Sequence, residues 1–491
     1  MISAAQFQDF AAQGFNRIPV VHEVLSDLDT PLSAYLKLAS GACSYLFESV
    51  EGGARWGRYS IIGMPARTVL KVYGYRLLLE ENGAIVRDEI VADPLAEIEK
   101  IKQAIRVPVL PDLPKFHGGW VGYFGYECAQ YIESKLQTKQ NQDQLGMPDI
   151  YLMLAEELAV FDNLKGKIYL IVNANPEQDN AYENAVQRLE TLVHQLRETA
   201  VTYPRLQEPT AIDESHFISS FPKEKYLQAV QQCKEYVYSG DVFQVQISQR
   251  LSVPYLARPL DVYRALRSLN PSPYMYFLDL GREQIVGSSP EILVRVQAGQ
   301  VVVRPIAGTR RRGRDDADDL AMEAELLADP KERAEHLMLI DLGRNDVGRI
   351  AEVGSVKMTE HMIVERYSHV MHIVSEVVGK IRPGLRFMDV FRATFPAGTL
   401  TGAPKIRAME VIAEFEPVKR GVYGGAVGYW AWDDQADLAI AIRTAVIQDG
   451  QLHVQAAGGV VADSVPELEW KETMNKGRAL FRAVQQAAQG L

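Results

Sequence analysis

Four glutamates in two short runs are the residues of this sequence best placed for chemistry. In Asp329-Pro-Lys-Glu-Arg-Ala-Glu-His-Leu-Met, Asp329 can cap a helix and Pro330 can open it. Glu332 and Glu335 then fall on one helix face, three residues apart. Pro466-Glu-Leu-Glu-Trp-Lys-Glu-Thr-Met-Asn-Lys repeats the spacing with Glu469 and Glu472. Four converging carboxylates repel one another unless a cation joins them. An all-oxygen set suits Mg²⁺, which keeps several waters and binds through one or two carboxylates plus substrate. The spacing alone fits two solvated helix faces equally well, with Glu332 in the capping-box position.

Around them lie groups suited to an anionic substrate. Val301 to Gly313 reads VVVRPIAGTRRRG: a stiff valine run, then an Ile-Ala-Gly-Thr turn with an open Gly308 and the Thr309 hydroxyl. Gln455-Ala-Ala-Gly-Gly-Val-Val places Ala457, Gly458 and Gly459 at a strand end whose N–H groups can face an anion. Arg443 interrupts the apolar run Leu438 to Ile447, which reads as one strand, and must meet solvent or an anion there. Tyr423 opens a glycine-aromatic strand, and His372 and Thr399 are lone polar candidates. Gly-x-Ser-x-Gly, a Walker loop and a placed dinucleotide fingerprint are all missing.

These groups need a scaffold of mixed strands and helices. Tyr45–Val50, Arg67–Tyr73 and Ile150–Ala155 have strand character, while Pro94–Ile105 and Ala181–Leu196 have helical spacing. A proline-bearing stretch from 199 to 221 divides residues 16–198 from a second domain, 222–491. Pro222 opens a helix there, with Tyr226, Leu227, Val230, Cys233 and Val237 on its buried face and Gly240 at its end. GGWVGYFGYE at Gly118 and YGGAVGYWAW at Tyr423 echo one another.

The chain has 491 residues, 47% hydrophobic and 23% charged, with a net charge of −11, which argues against a nucleic-acid surface. The one basic cluster, Arg310 to Arg314, is followed at once by Asp315, Asp316, Asp318 and Asp319 and reads as a self-compensated loop. Cys43, Cys128 and Cys233 fit neither a disulfide framework nor a zinc site. Without a membrane span or a signal peptide, the expectation is a cytoplasmic protein with no membrane partner.

In order along the chain stand PIAGT, AEHLMLIDLGRND, RYSHVMHIVSEVVG, GTLTGAPKIRAM, YGGAVGY and QAAGGVVADSVPELEWKETMNK. From about residue 16 to the C-terminus the sequence resembles the chorismate-binding enzymes, and within them the branch that makes anthranilate. The resemblance implies an α+β fold: a large β-sandwich chorismate-binding domain flanked by helices, with a smaller N-terminal lobe. It implies Mg²⁺ held by Glu335 and Glu472, with Glu332 and Glu469 behind them through water. Chorismate would lie on Gly308, Thr309, Tyr423, Arg443, Ala457, Gly458, Gly459 and Lys476. Glu291, in Ser-Ser-Pro-Glu, matches the general acid for the C4 hydroxyl, and His372 and Thr399 match residues of the later pyruvate loss.

The resemblance also separates products. Aminodeoxychorismate synthases carry a nucleophilic lysine where Ala307 stands, and isochorismate-forming relatives a water-activating lysine where Gln244 stands. With neither lysine, ammonia is the expected nucleophile. It would be supplied by a separate glutamine amidotransferase subunit, since the chain carries no such domain, in a heterotetramer of two large and two small subunits. Leu46-Phe47-Glu48-Ser49 and Asn270 to Met275 resemble a tryptophan feedback site, with Ser49, Pro273, Tyr274 and Met275 as its contacts. Two alternatives stay open: an aminodeoxychorismate or 2-amino-2-deoxyisochorismate synthase subunit, and an inactive tryptophan-binding regulatory subunit.

Overall fold

Strand Tyr274–Asp279 shows how the molecule is layered. Tyr276 and Leu278 face one apolar core, and Met275 and Phe277 face another. In the computed structural model, which describes residues 2–49, 57–138, 141–203, 209–367 and 370–491, two antiparallel sheets of twelve strands each stack on a shared apolar layer. Helices cover the outer faces. Pro31–Leu38, Ala181–Glu198, Pro259–Leu269 and Pro466–Gln489 pack on one sheet, and Pro94–Gln103, Pro330–Gly348 and Phe387–Thr394 on the other. This is the expected α+β sandwich flanked by helices.

The N-terminal segment continues both sheets. In one, Ser44–Glu48 pairs with Tyr274–Asp279, setting Glu48 opposite Met275. In the other, Gly119–Phe124 pairs with Ala426–Ala431. That second seam joins the two echoing glycine-aromatic stretches to each other, with Trp120 opposite Trp430 and Gly122 opposite Gly428. The glycines there have a steric cause. A Cβ on Gly122 would come 2.0 Å from the Tyr151 carbonyl oxygen, and one on Gly428 would come 2.1 Å from that of Asp437.

Two sequence expectations need correction. Leu438 to Ile447 is not one strand: Ala436–Ile440 belongs to one sheet and Thr444–Gln448 to the other. Arg443 sits in the crossing between them at φ +47. Nor is Ile-Ala-Gly-Thr a turn. Ile306–Arg311 is a strand paired to Val370–Lys380, and its ladder slips between Ala307 and Thr309, where Gly308 takes φ +67. Arg310 and Arg311 therefore lie in that strand rather than a loop, while Arg311 and Arg312 pair with Asp318 and Asp319 as expected.

Helix starts follow their capping chemistry. The Asp329 carboxylate accepts from the Lys331 and Glu332 N–H groups, with Pro330 in the first turn. Lys223–Tyr238 buries Tyr226, Val230 and Cys233, with Leu227 and Val237 half-buried at its margin. Val50, Pro204 to Glu208 of the proline-bearing stretch, and Ser368 with His369 lie outside the described residues.

Candidate active site

Strand Gln451–Val460 forms one wall. Gln244–Pro254 pairs with its whole length, but the Thr444–Gln448 strand leaves it after Val454. From Gln455 onward one edge is therefore open, which gives the expected exposed peptide groups a physical basis. The Ala457 N–H faces the Tyr423 hydroxyl, and the Ala457 carbonyl accepts from Lys476 Nζ at 2.9 Å. The next two residues must be small. A Cβ on Gly458 would stand 2.9 Å from Glu469 Oε2, and one on Gly459 2.8 Å from both Gln244 Nε2 and Gln246 Nε2.

The carboxylates approach this edge from two helix N-termini. Glu335 accepts from Gln244 Nε2 at 2.9 Å, and Glu472 pairs with Lys476 at 2.7 Å. Glu332 does not fold back as a capping-box acid; Arg310 reaches it at 3.3 Å. Burial raises its pKa and Glu335 adds to the rise. Glu469 is raised by burial too, opposed by Ser464 and reinforced by Glu472, while Lys331 of the other helix faces it. Its Oε2 is buried without a hydrogen-bond partner. Among the described residues no three metal-ligating side chains already converge on one point. The donor set nonetheless fits a divalent cation: hard oxygens, mutual repulsion and one orphaned carboxylate oxygen are what such an ion relieves.

On the other wall Glu291 is buried at 7% exposure. Burial pushes its pKa up to about 8, against the opposing pull of Thr399, the Ile306 N–H, Arg443 and Lys476. It is thus a carboxyl protonated at neutral pH. Arg443 makes no ion pair among the described residues; burial lowers its pKa, opposed by Tyr367 and Glu291. His372 is held down at about 4, first by burial and then by Arg443. His372 Nδ1 lies 3.0 Å from the Gly308 carbonyl, with Thr309 Oγ1 at 3.1 Å. A carbonyl only accepts, so Nδ1 carries the proton and Nε2 is left as a neutral base. Gly308 also abuts Glu332, since a Cβ there would lie 3.3 Å from Glu332 Oε2. The slipped strand therefore connects the carboxylates to the imidazole.

The seam residues adjoin Gln284–Ser289, the strand that ends just before Glu291. Pro273, Tyr274 and Met275 lie where the N-terminal strand ending at Glu48 meets the rest, and Ser49 packs against Gly57. Tyr274 and Met275 point to opposite faces: Tyr274 is bonded to Asp437 and Arg295, each at 2.9 Å, and Met275 enters the helix-side core.

One supporting pair escaped the sequence reading. Arg420, 2% exposed, is bonded to Glu416 at 2.7 and 2.9 Å and to the Leu400 and Gln246 carbonyls. Its guanidinium lies 5.8 Å from the Tyr423 ring. The i, i+4 spacing of Glu416 and Arg420 was the available signal, although such pairs usually lie on helix surfaces.

The profile described as chorismate binding enzyme matches residues 74–482. Anthranilate synthase component 1 of Pseudomonas aeruginosa is 58% identical over 487 residues, 99% of each chain. That of Neisseria meningitidis is 53% identical over 496 residues, the full length of both. The crystal structure of anthranilate synthase component I from Streptococcus pneumoniae superposes with a TM-score of 0.78 at 37% identity, covering 93% of this chain and 99% of that one.

Proposed function

The chain belongs to the chorismate-binding enzymes, and we propose that it is the large, aminating subunit of an anthranilate synthase. It converts chorismate and ammonia to anthranilate and pyruvate, a carbon–oxygen lyase reaction that commits chorismate to tryptophan. The observation that carries this reading is the pairing of a protonated buried acid, Glu291, with a cleft whose two candidate nucleophile positions hold Ala307 and Gln244. Neither side chain attacks a ring or activates water. The amide of Gln244 is already donating to Glu335. The nucleophile therefore comes from outside.

Each step follows from a group in place. Arg443 has no carboxylate of its own and a planar fork suited to one of chorismate's two. Lys476, fixed between Ala457 and Glu472, supplies further positive charge. Ammonia adds at C2, the ring double bonds shift, and Glu291 gives its proton to the C4 hydroxyl, which leaves as water. His372 Nε2 then takes the C2 proton while the C3–O bond breaks. The released enolpyruvate gains a proton at its methylene carbon and becomes pyruvate. Glu335 and Glu472 would hold Mg²⁺, with Glu332 and Glu469 behind them. An ion held there would supply positive charge that draws electron density from the ring.

The reading includes a partner that hydrolyses glutamine, two copies of each subunit, tryptophan as inhibitor at the Ser49–Met275 seam, and a cytoplasmic setting. The three unpaired cysteines suit a reducing compartment. Among the described residues no helix is long and apolar enough to cross a membrane.

The test compares nitrogen sources for the purified chain in Mg²⁺. Ammonium salts should give anthranilate, more at alkaline pH where free ammonia rises, and omitting Mg²⁺ should abolish it. Glutamine should give none until an amidotransferase subunit is added. Glutamine-driven anthranilate from the single chain, or full activity in a chelator, refutes the respective assignment.

A further inference from the structure

Glu127 closes the stretch GGWVGYFGYE, whose echo YGGAVGYWAW carries no acid. The strand Gly119–Phe124 gives way there to a short helical turn, Tyr126–Cys128. Glu127 is half-buried and makes no ion pair among the described residues. Its oxygens go instead to peptide groups far along the chain: Oε1 accepts from the Arg420 N–H at 2.8 Å and Oε2 from the Gly421 N–H at 2.9 Å. The adjacent Tyr126 N–H donates to the Gly421 carbonyl at 2.7 Å. Two consecutive residues of the N-terminal segment thus hold one turn of the C-terminal part by three hydrogen bonds.

That turn carries Tyr423. Gly421 and Gly424 take φ +63 and +74 on either side of it, and the Gly425 N–H closes on the Val422 carbonyl at 3.0 Å. Tyr423 is buried, and its hydroxyl meets the Ala457 N–H at the open strand edge. The Arg420 guanidinium adds a second tie, 4.5 Å from the Tyr126 ring and 5.8 Å from the Tyr423 ring. Flanking glycines give such a turn little rigidity of its own. Two charge-assisted bonds to adjacent N–H groups supply what the turn lacks. Burial and then Asp149 push the Glu127 pKa up to about 7, opposed by Lys419 and the Arg420 N–H, with Arg250 the other cation facing it. Above that pH it is a carboxylate.

We propose that Glu127 is a positioning residue for the substrate: delivered by the N-terminal segment, it clamps the Arg420–Gly421 peptide groups and so sets where Tyr423 presents its hydroxyl to chorismate. The inference rests on the proposed reading of Tyr423 as a chorismate contact. It also gives the two echoing stretches separate tasks, since the first supplies the clamp and the second begins with the residue that is clamped. Tyr423 would hold chorismate before and during the reaction alike. Loosening it therefore weakens ground state and transition state together, which raises KM and spares kcat.

Glu127→Gln keeps the shape and turns one acceptor into a donor that faces an N–H. In ammonium-driven turnover with Mg²⁺ at about pH 8, where Glu127 is charged, its KM for chorismate should rise about tenfold with kcat within about twofold of wild type. Damage to the fold alone lowers the active fraction, hence kcat, and leaves KM where it was. Glu127→Asp keeps the charge but shortens the reach; it should raise KM too and serves if the amide variant does not fold. Tyr126→Phe removes a hydroxyl without a hydrogen-bond partner among the described residues and keeps the ring, so both constants should stay at wild-type values. Glu127→Gln placed on Tyr423→Phe tests the route: acting through Tyr423, it should raise KM less than about twofold on that background. Unchanged KM in Glu127→Gln, an equal rise in Tyr126→Phe, or the full rise on both backgrounds overturns the clamp, while a raised KM in Tyr423→Phe alone keeps the substrate reading. Wild-type KM in Tyr423→Phe refutes that reading, and the clamp with it.

Discussion

On the proposed mechanism, the pH behaviour of the site follows from Glu291. Its pKa stands at about 8 because burial disfavours the carboxylate, and His372 stands at about 4 because burial and Arg443 disfavour the imidazolium. The proposed reaction needs that acid protonated and that base neutral. At constant free ammonia, turnover should therefore fall about tenfold per unit above pH 8, and fall again only near pH 4. Glu291→Gln keeps the volume and loses the proton, so kcat should drop by roughly 10²–10⁴-fold and the alkaline limb should vanish. A pH–rate series on both proteins checks this, and an alkaline limb that survives in Glu291→Gln assigns it to another group. Residue type and spacing drew attention to both Glu-x-x-Glu pairs and to Arg443 in its apolar run, whereas the role expected of His372 came only from the family resemblance. The unusual pKa values were not legible, since burial depends on strands far apart in the chain. The burial of the Arg420–Glu416 pair was hidden as well, because its i, i+4 spacing is ordinarily read as a surface ion pair.

The elements follow their local chemistry more closely than their apolar runs. Asp329 with Pro330 begins a helix as the sequence implies, and Ile150–Ala155 is the predicted strand to the residue. Leu438 to Ile447 misled because its apolar residues do not show where the chain leaves one sheet for the other; the crossing falls at Arg443, at φ +47. The slip at Gly308 was hidden for a similar reason, as a glycine between strand residues reads as a turn. The inhibitor site proposed above is the seam between Ser44–Glu48 and Tyr274–Asp279. Tryptophan bound there should weaken chorismate binding, and chorismate should weaken tryptophan binding by the same factor, through a coupling of roughly 1–3 kcal/mol. Ser49→Phe and Met275→Thr should relieve inhibition with little change in uninhibited turnover. Met275 is 1% exposed, so its loss also carries a stability penalty of ~1–3 kcal/mol. Inhibition curves at several chorismate concentrations decide the point: undiminished sensitivity in both variants removes the seam from the account.

At the scale of the whole molecule, the two sheets bring together parts of the chain that local pattern could not join. Strands from the first 174 residues continue both sheets, and the echoing stretches at Gly118 and Tyr423 become neighbours across Trp120 and Trp430. The site lies where Gln451–Val460 loses one strand partner, between two helix N-termini that carry the carboxylates and the slipped strand that carries Gly308. Such a cleft offers carboxylates that suit a cation, a buried carboxyl and a neutral imidazole, but no nucleophile at Ala307 or Gln244. The central claim is that external ammonia attacks the ring of chorismate. Incubating the purified chain with chorismate, Mg²⁺ and ¹⁵N-labelled ammonium, then weighing the aromatic product by mass spectrometry, tests this most directly. The account predicts anthranilate one mass unit heavier than its unlabelled form, with one pyruvate released per ring. A product without the label, whether hydroxylated or lacking nitrogen, would contradict it.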